Sequence, residues 1–155
     1  MGRVLQQNEV QEFFHKIRSE NKKIVFTNGC FDLLHIGHIR YLQEAKRQGD
    51  ILVVGVNTDA SVQRLKGPTR PIQNENDRAE ILAALGCVDY TILFSEETPL
   101  NLIQKVIPHV LVKGGDWKPE QIVGSDFVLS NGGKVLSLQF VDGKSTTSII
   151  AKTQS

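Results

Sequence analysis

The chain holds only two cysteines, Cys30 and Cys87, far apart in 155 residues. A disulfide-stapled fold is therefore excluded, and both read as free thiols of a reducing compartment. No stretch approaches the roughly eighteen apolar residues that a membrane span requires. The opening MGRVLQQNEVQEFF has no apolar signal core, and Gln6 stands where N-myristoylation asks for Ser or Thr. A cytoplasmic protein with no membrane partner is expected. Charge of one sign is also missing: 18 basic against 17 acidic residues leave a net +1. That excludes the footprint of a nucleic-acid binder. Aromatic residues make up 6%, too few for the stacking platforms that hold single strands. The runs GxGxxG and GxxxxGKS/T are absent, so neither the dinucleotide fingerprint nor the P-loop applies. There is no internal repeat, linker or low-complexity tract.

What is present is a regular alternation of apolar runs and amphipathic segments. The length suits one domain over residues 1–155, with an N-terminal helix to about residue 20 and a core over about 22–153. A domain of this size buries about two-thirds or more of its unfolded surface. Asn8 is positioned to cap a helix over 9–20 with Val10, Phe13, Phe14 and Ile17 as its buried stripe. Strands are predicted at about 24–28, 51–56, 90–94, 110–112 and 135–138. Helices are predicted after HIGH to about Gln48, from Asp59 to Lys66, from Asn76 or Asp77 to Leu85, from Thr98-Pro99 to Pro108, over 125–131, and from Ser145 or Thr146 to Lys152. Strands alternating with helices imply right-handed crossovers. The fold class is α/β: a three-layer, Rossmann-like, doubly wound parallel sheet of about five strands with helices on both faces.

Residues 27–42, TNGCFDLLHIGHIRYL, concentrate the chemistry. An apolar strand feeds a glycine turn, then Asp32, His35, Gly37 and His38, then a helix with Ile39, Leu42 and Ala45 on one side. Strand, glycine turn and helix start form the geometry that holds phosphate, through free backbone N–H groups and the positive end of the macrodipole. Imidazoles three residues apart can aim donors at one phosphate. A histidine pair can also hold a metal, but helical metal pairs more often sit at i and i+4 with an acidic partner. That partner is missing. The other polar segments NTD, KGGDW and GKSTTS also follow predicted strands, and ligands in such sheets bind beyond the strand carboxyl ends.

GCFDLLHIGH resembles the HxGH motif of the nucleotidyltransferase superfamily, in the GxFDxxHxGH form of its cytidylyltransferase-like branch. The blocks GDILVVGVNTDASVQRLKGPTRPI, NDRAEILAALGCVDY, LVKGGDWKPEQIVGSD and NGGKVLSLQFVDGKSTTSII resemble the D-glycero-β-D-manno-heptose 1-phosphate adenylyltransferases. These blocks span nearly the whole chain beyond the first twenty residues. The resemblance implies ATP and a sugar 1-phosphate as substrates, ADP-heptose and pyrophosphate as products, and a place in lipopolysaccharide core assembly. Many members of this branch are fused to a sugar kinase, for which 155 residues leave no room; a free-standing enzyme or one half of a fusion is expected. Members are commonly homo-oligomers.

The resemblance assigns His35 and His38 to the nucleotide phosphates and the transition state. It assigns Thr27, Asn28, Gly29, Phe31, Asp32 and Gly37 to the turn around the phosphate site. Lys66 is either a lysine near the triphosphate or a solvated loop charge. Arg78 matches an arginine near the reacting phosphates, with surface pairing to Asp77 or Glu75 as the alternative. Gly115, Asp116 and Trp117 match positions near the base and ribose, where Trp117 either stacks on the base or packs. Ser145, Thr146 and Thr147 open the last helix, as caps, as phosphate ligands or as both. Lys144 adjoins them where related cytidylyltransferases carry an arginine. Asp59 is a substrate-binding or loop-fixing group, and Asp32 either orients its turn, the favoured reading, or assists metal binding. Mg²⁺ is expected to arrive with ATP, without a dedicated protein cage. The alternative enzyme is a cytidylyltransferase for glycerol 3-phosphate or a similar alcohol phosphate. The remote alternative is a non-catalytic nucleotide-binding module.

Overall fold

The computed structural model of the chain describes residues 2–139 and the helix over 146–154, the latter with side chains at 149–153 only. In chain order the elements are β1 (Arg3–Leu5), α1 (Val10–Ser19), β2 (Ile24–Gly29), α2 (Ile36–Lys46), β3 (Ile51–Asn57), α3 (Asp59–Lys66), α4 (Glu75–Ala83), β4 (Tyr90–Phe94), α5 (Leu100–Val106), β5 (Val110–Gly114), α6 (Ser125–Ser130), β6 (Lys134–Leu138) and α7 (Thr146–Gln154). Short 3₁₀ turns cover Gln7–Glu9 and Pro119–Gln121. The strands form one parallel sheet in the order β1-β4-β3-β2-β5-β6. The chain lays β2, β3 and β4 outward in one direction, then returns to place β5 on the other side of β2. The reversal between β2 and β5 is the topological switch point, where open α/β sheets bind ligands.

Strand side chains alternate between the two faces. Phe26 and Val53 join Phe14, Phe94, Leu102 and Ile103 in one apolar cluster with α1 and α5. Val25, Leu52, Val54 and Val56 join Tyr41, Leu42 and Leu82 in the other, under α2 and α4. Both faces are covered, so β3 is buried at every position. That is why it reads as an unbroken apolar run.

The doubly wound parallel fold is as expected, with six strands in place of about five. The added strand, β1, is three residues long, too short to show a period of two. It pairs with β4, and the Gly2 amide donates to the Ala83 carbonyl at 2.9 Å. α1 begins at Val10, because Asn8 lies inside the preceding 3₁₀ turn. α4 begins at Glu75, capped by the Asn74 side chain, which accepts from the Asp77 amide at 2.9 Å; the cap therefore precedes Asn76 and Asp77. β5 continues through Gly114, which pairs with Leu138. On α2 the buried side is Tyr41, Leu42 and Ala45, with Ile39 only half-buried. Among the described residues no helix is long and apolar enough to cross a membrane.

β2 pairs with β3 along its whole length, from Ile24–Ile51 to Gly29–Val56. With β5 it pairs at Val25–Val110 and Phe26–Leu111, and no further. Past that point the two strands part, and a side chain from α2 fills the opening. The Tyr41 hydroxyl lies 2.6 Å from Thr27 Oγ1 and donates to the Val112 carbonyl at 3.3 Å. Burial pushes its pKa up to about 12, against a smaller opposing effect of the Thr27 bond. Tyr41→Phe removes the partner of the fully buried Thr27 hydroxyl. The expected cost is about 1–3 kcal/mol, read as a lower urea midpoint with an unchanged m-value.

Candidate active site

A crevice of about 850 Å³ opens where β2 and β5 part, at the carboxyl ends of β2, β3 and β5. Its floor is the end of β2, Asn28 and Gly29, and the turn after it, Cys30 and Phe31. His35 and His38 stand over it, Lys66 and Arg70 line the β3 side, and Lys113, Gly115 and Trp117 line the β5 side.

The first turn of α2 holds both imidazoles with its own backbone. His35 is the N-cap, and its Nδ1 accepts from the Gly37 amide at 3.1 Å. His38 Nδ1 accepts from the His35 amide at 3.3 Å. A ring nitrogen that accepts carries no proton, so each neutral ring keeps its proton on Nε2. The rings stack with centroids 3.9 Å apart and 27° between planes, and Phe31 meets His38 edge-on at 5.3 Å. Burial, with a smaller contribution from His35, pushes the His38 pKa down to about 4. This corrects one expectation. The amides of His35 and Gly37 do not face the crevice as free donors; they bond to the rings, whose opposite nitrogens carry the donors.

Phe31 adopts φ +47°, a left-handed conformation that costs a non-glycine residue of order 1–3 kcal/mol. Its ring covers Gly29, where an added Cβ would lie 2.9 Å from Phe31 Cε2. Glycine at 29 and the bent backbone at 31 together bring the Phe31 ring against His38.

Two buried ionic groups fix this turn from behind. Asp32 is 1% exposed. It accepts from Arg70 Nε at 2.8 Å, from the Ile72 amide at 2.9 Å and from the Gln73 amide at 3.0 Å. Burial alone would raise its pKa. The bonds from Gln73, Ile72 and Arg70 outweigh that and hold the carboxyl below its ordinary value. Asp32 thus fastens the loop after α3 over the turn. Arg78 is 1% exposed, and isolating such a cation would cost several kcal/mol. It donates to Gln73 O (2.9 Å), Cys30 O and Asn57 O (both 2.7 Å) and Asp59 Oδ1 (2.8 Å).

Several expected residues occupy positions that the sequence alone did not specify. Arg78 stands beneath the turn and does not line the crevice; its partner is Asp59, not Asp77 or Glu75. Asp59 accordingly ties α3 to that arginine. The Thr27 hydroxyl turns inward to Tyr41. Asn28, Gly29, Phe31, Asp32, His35, His38, Lys66, Gly115 and Trp117 line the crevice. Gly37 is buried and serves His35. Asp116 is exposed beside the crevice wall. Trp117 Nε1 donates to Gly114 O at 3.0 Å, and its amide donates to Ser137 Oγ at 3.2 Å. Ser145 and Lys144 lie outside the described residues. Thr146 and Thr147 begin α7, but their side chains are outside the description. Arg70, Asn57 and Lys113 were not singled out from the sequence, although each belongs to a segment that was. A positive charge in TRP or VKGG carries no local sign of which way it turns.

Among the described residues, no group of three or more His, Cys, Asp or Glu could hold a metal ion. The oxygens of Asp32, the carboxylate nearest the histidines in sequence, are engaged by Arg70 and two amides.

The family model for cytidylyltransferase-like proteins matches residues 26–151. The chain belongs to the cytidylyltransferase-like family. Within it, the chain is 62% identical over 135 residues to the bifunctional protein HldE of Geobacter metallireducens, covering 87% of this chain and 28% of that protein. It is 51% identical over 146 residues to HldE of Aliarcobacter butzleri, covering 94% of this chain and 30% of that one. The chain thus spans less than a third of the length of these curated relatives. Among solved structures it resembles the lipopolysaccharide core biosynthesis protein of Thermoplasma volcanium, with TM-score 0.64 and 32% identity over 79% of this chain and 99% of that one. Pantoate-β-alanine ligase of Francisella tularensis, solved with an ATP compound and β-alanine, shares the fold at TM-score 0.58 and 16% identity, over 99% of this chain and 77% of that one.

Two outcomes test the site. The His38 imidazole is expected to titrate near pH 4 when followed by NMR, against 6.5 for an ordinary histidine. Its folded value lies below the unfolded one. The unfolded state therefore binds the proton first, and His38 withdraws stability as pH falls from about 6.5 to about 4. Arg78→Lys keeps the charge but can satisfy at most three of four acceptors. It is expected to lower the melting temperature and turnover together, although Arg78 lies outside the crevice.

Proposed function

We infer that the protein is an adenylyltransferase. It joins ATP to D-glycero-β-D-manno-heptose 1-phosphate, giving ADP-heptose and pyrophosphate for lipopolysaccharide core synthesis. The observation that carries the chemistry is the pair of stacked imidazoles at the sheet's switch point, each with its proton set on Nε2 by a backbone bond. The choice of acceptor is supported by identity to HldE over most of this chain and by the LKGPTRP and KGGDW blocks.

In this reaction a sugar-phosphate oxygen attacks the α-phosphorus of ATP. A new P–O bond forms, the α–β bridging bond breaks, and its electron pair leaves with pyrophosphate. The attacking oxygen is already ionised, since the second phosphate pKa is about 6. No general base is needed. The barrier lies in bringing two anions together and in the charge that spreads over the transferring phosphoryl group. His35 and His38 supply donors that need no reorganisation when that charge develops. Lys66 adds positive charge on the β3 side, where Arg70 lines the crevice with its charge paired to Asp32. Asp32 and Arg78 act through the backbone they hold, so we read both as positioning residues. Thr146 and Thr147, at the start of α7, suit the outer phosphates, and the segment Gly115 to Trp117 suits the nucleoside. Mg²⁺ arriving with ATP would screen the phosphate charges, with no protein cage of its own among the described residues. We place the reaction in the cytoplasm, in a homo-oligomer without a nucleic-acid partner.

A pyrophosphate-release assay with the heptose 1-phosphate tests this directly. Release is expected with ATP and not with CTP; release with CTP and glycerol 3-phosphate alone would replace the adenylyltransferase with a cytidylyltransferase. ATP binding without turnover on any phosphosugar would leave only a binding module. His38→Ala is expected to lower kcat by about 10²–10³-fold with an unchanged far-UV circular dichroism spectrum.

A further inference from the structure

Lys113 lies near the end of β5, facing the crevice from the wall opposite Lys66 and Arg70. The two buried or largely buried arginines each have a carboxylate partner: Arg70 has Asp32 and Arg78 has Asp59, both at 2.8 Å. The half-buried Lys46 has Asp89 at 2.6 Å. Lys113 is also half-buried, yet among the described residues no carboxylate lies within ion-pair reach of it. The Trp117 ring lies beside it, with its centroid 5.8 Å from Nζ. Such a contact offsets only part of what desolvating an ammonium group costs. Burial accordingly holds its pKa below the ordinary lysine value, against a smaller opposing effect of Cys30. Among the described residues the cation is undercompensated.

We propose that Lys113 binds the polyphosphate of the incoming nucleotide, resting on the Trp117 ring until the phosphates arrive and then moving off it. The inference rests on the adenylyltransferase reading for the identity of the anion. The nucleotide is favoured over the sugar phosphate because Lys113 shares its wall with Gly115 and Trp117, while Lys66 and Arg70 serve the other wall. The ring is the fixed member of the pair. Its indole N–H is bonded to Gly114 O and its amide to Ser137 Oγ, and the Ser137 hydroxyl donates in turn to Gly115 O. The lysine arm is the member free to swing.

Trp117 is the only tryptophan in the chain, so its fluorescence reports whether the ammonium group leaves the ring. Wild type, Lys113→Met and Lys113→Arg are titrated at constant ionic strength with inorganic tripolyphosphate, which has no base, and with adenosine, which has no phosphate. Tripolyphosphate is expected to give a saturable emission change in wild type. The change is expected to be lost or shifted by about tenfold or more in Lys113→Met and largely retained in Lys113→Arg. Adenosine is expected to act alike on wild type and Lys113→Met. In the pyrophosphate assay Lys113→Met is expected to raise KM for ATP by a similar factor, with KM for the sugar phosphate nearly unchanged. A Lys113→Met protein that responds to tripolyphosphate as wild type does, or that keeps the wild-type KM for ATP, overturns the proposal and leaves the adenylyltransferase reading standing. Absence of ATP turnover by wild type sinks that reading instead, while the tripolyphosphate titration still decides whether Lys113 receives an anion.

Discussion

Two neighbouring strands that pair at two positions and then separate are the constraint on which the rest of this molecule depends. A sheet that stayed zipped to its carboxyl edge would leave no room for a ligand between β2 and β5. Separation exposes backbone polar groups that must find partners elsewhere. Tyr41 answers part of that demand from α2, with one hydroxyl bridging the gap between Thr27 and Val112. The helix that bears the histidines is therefore tied to both lips of the opening. Where α2 goes, the imidazoles and the mouth of the crevice go with it.

The same helix start presents its hydrogen-bond donors differently from a glycine-rich loop. A helix N-terminus has unpaired N–H groups that normally meet the anion directly. Here two of them are capped by the imidazoles, whose Nε2 protons then extend the donors beyond the reach of the backbone. The arrangement also removes the tautomeric freedom of each ring. Because burial keeps His38 neutral, the stacked rings avoid the repulsion that two imidazolium groups would suffer at 3.9 Å.

The alternation of apolar runs and amphipathic helices was sufficient to read a doubly wound parallel sheet, because both faces of β3 are buried and its seven residues show it. The turn and its two histidines were legible for the same reason: strand, glycine and helix start are contiguous. What escaped was non-local or very short. β1 has three residues and no visible period. Arg78 looked like a crevice residue or a surface partner of Asp77. Its four acceptors come from segments up to 48 residues away, and no local pattern encodes them. Arg70 was invisible for the complementary reason, since its partner Asp32 lies 38 residues earlier. Lys113 has no carboxylate partner among the described residues, so its significance emerged only from the space around it.

Arg78 gathers carbonyls from the β2 turn, the end of β3 and the loop before α4, and a carboxylate from α3. Transplanting the histidine turn into another α/β scaffold would therefore fail as a cut of contiguous sequence. The minimum portable unit is the turn together with the guanidinium beneath it and the three distant peptide segments it grips. A designer who copied only the visible motif would obtain the right residues on a floor that sags.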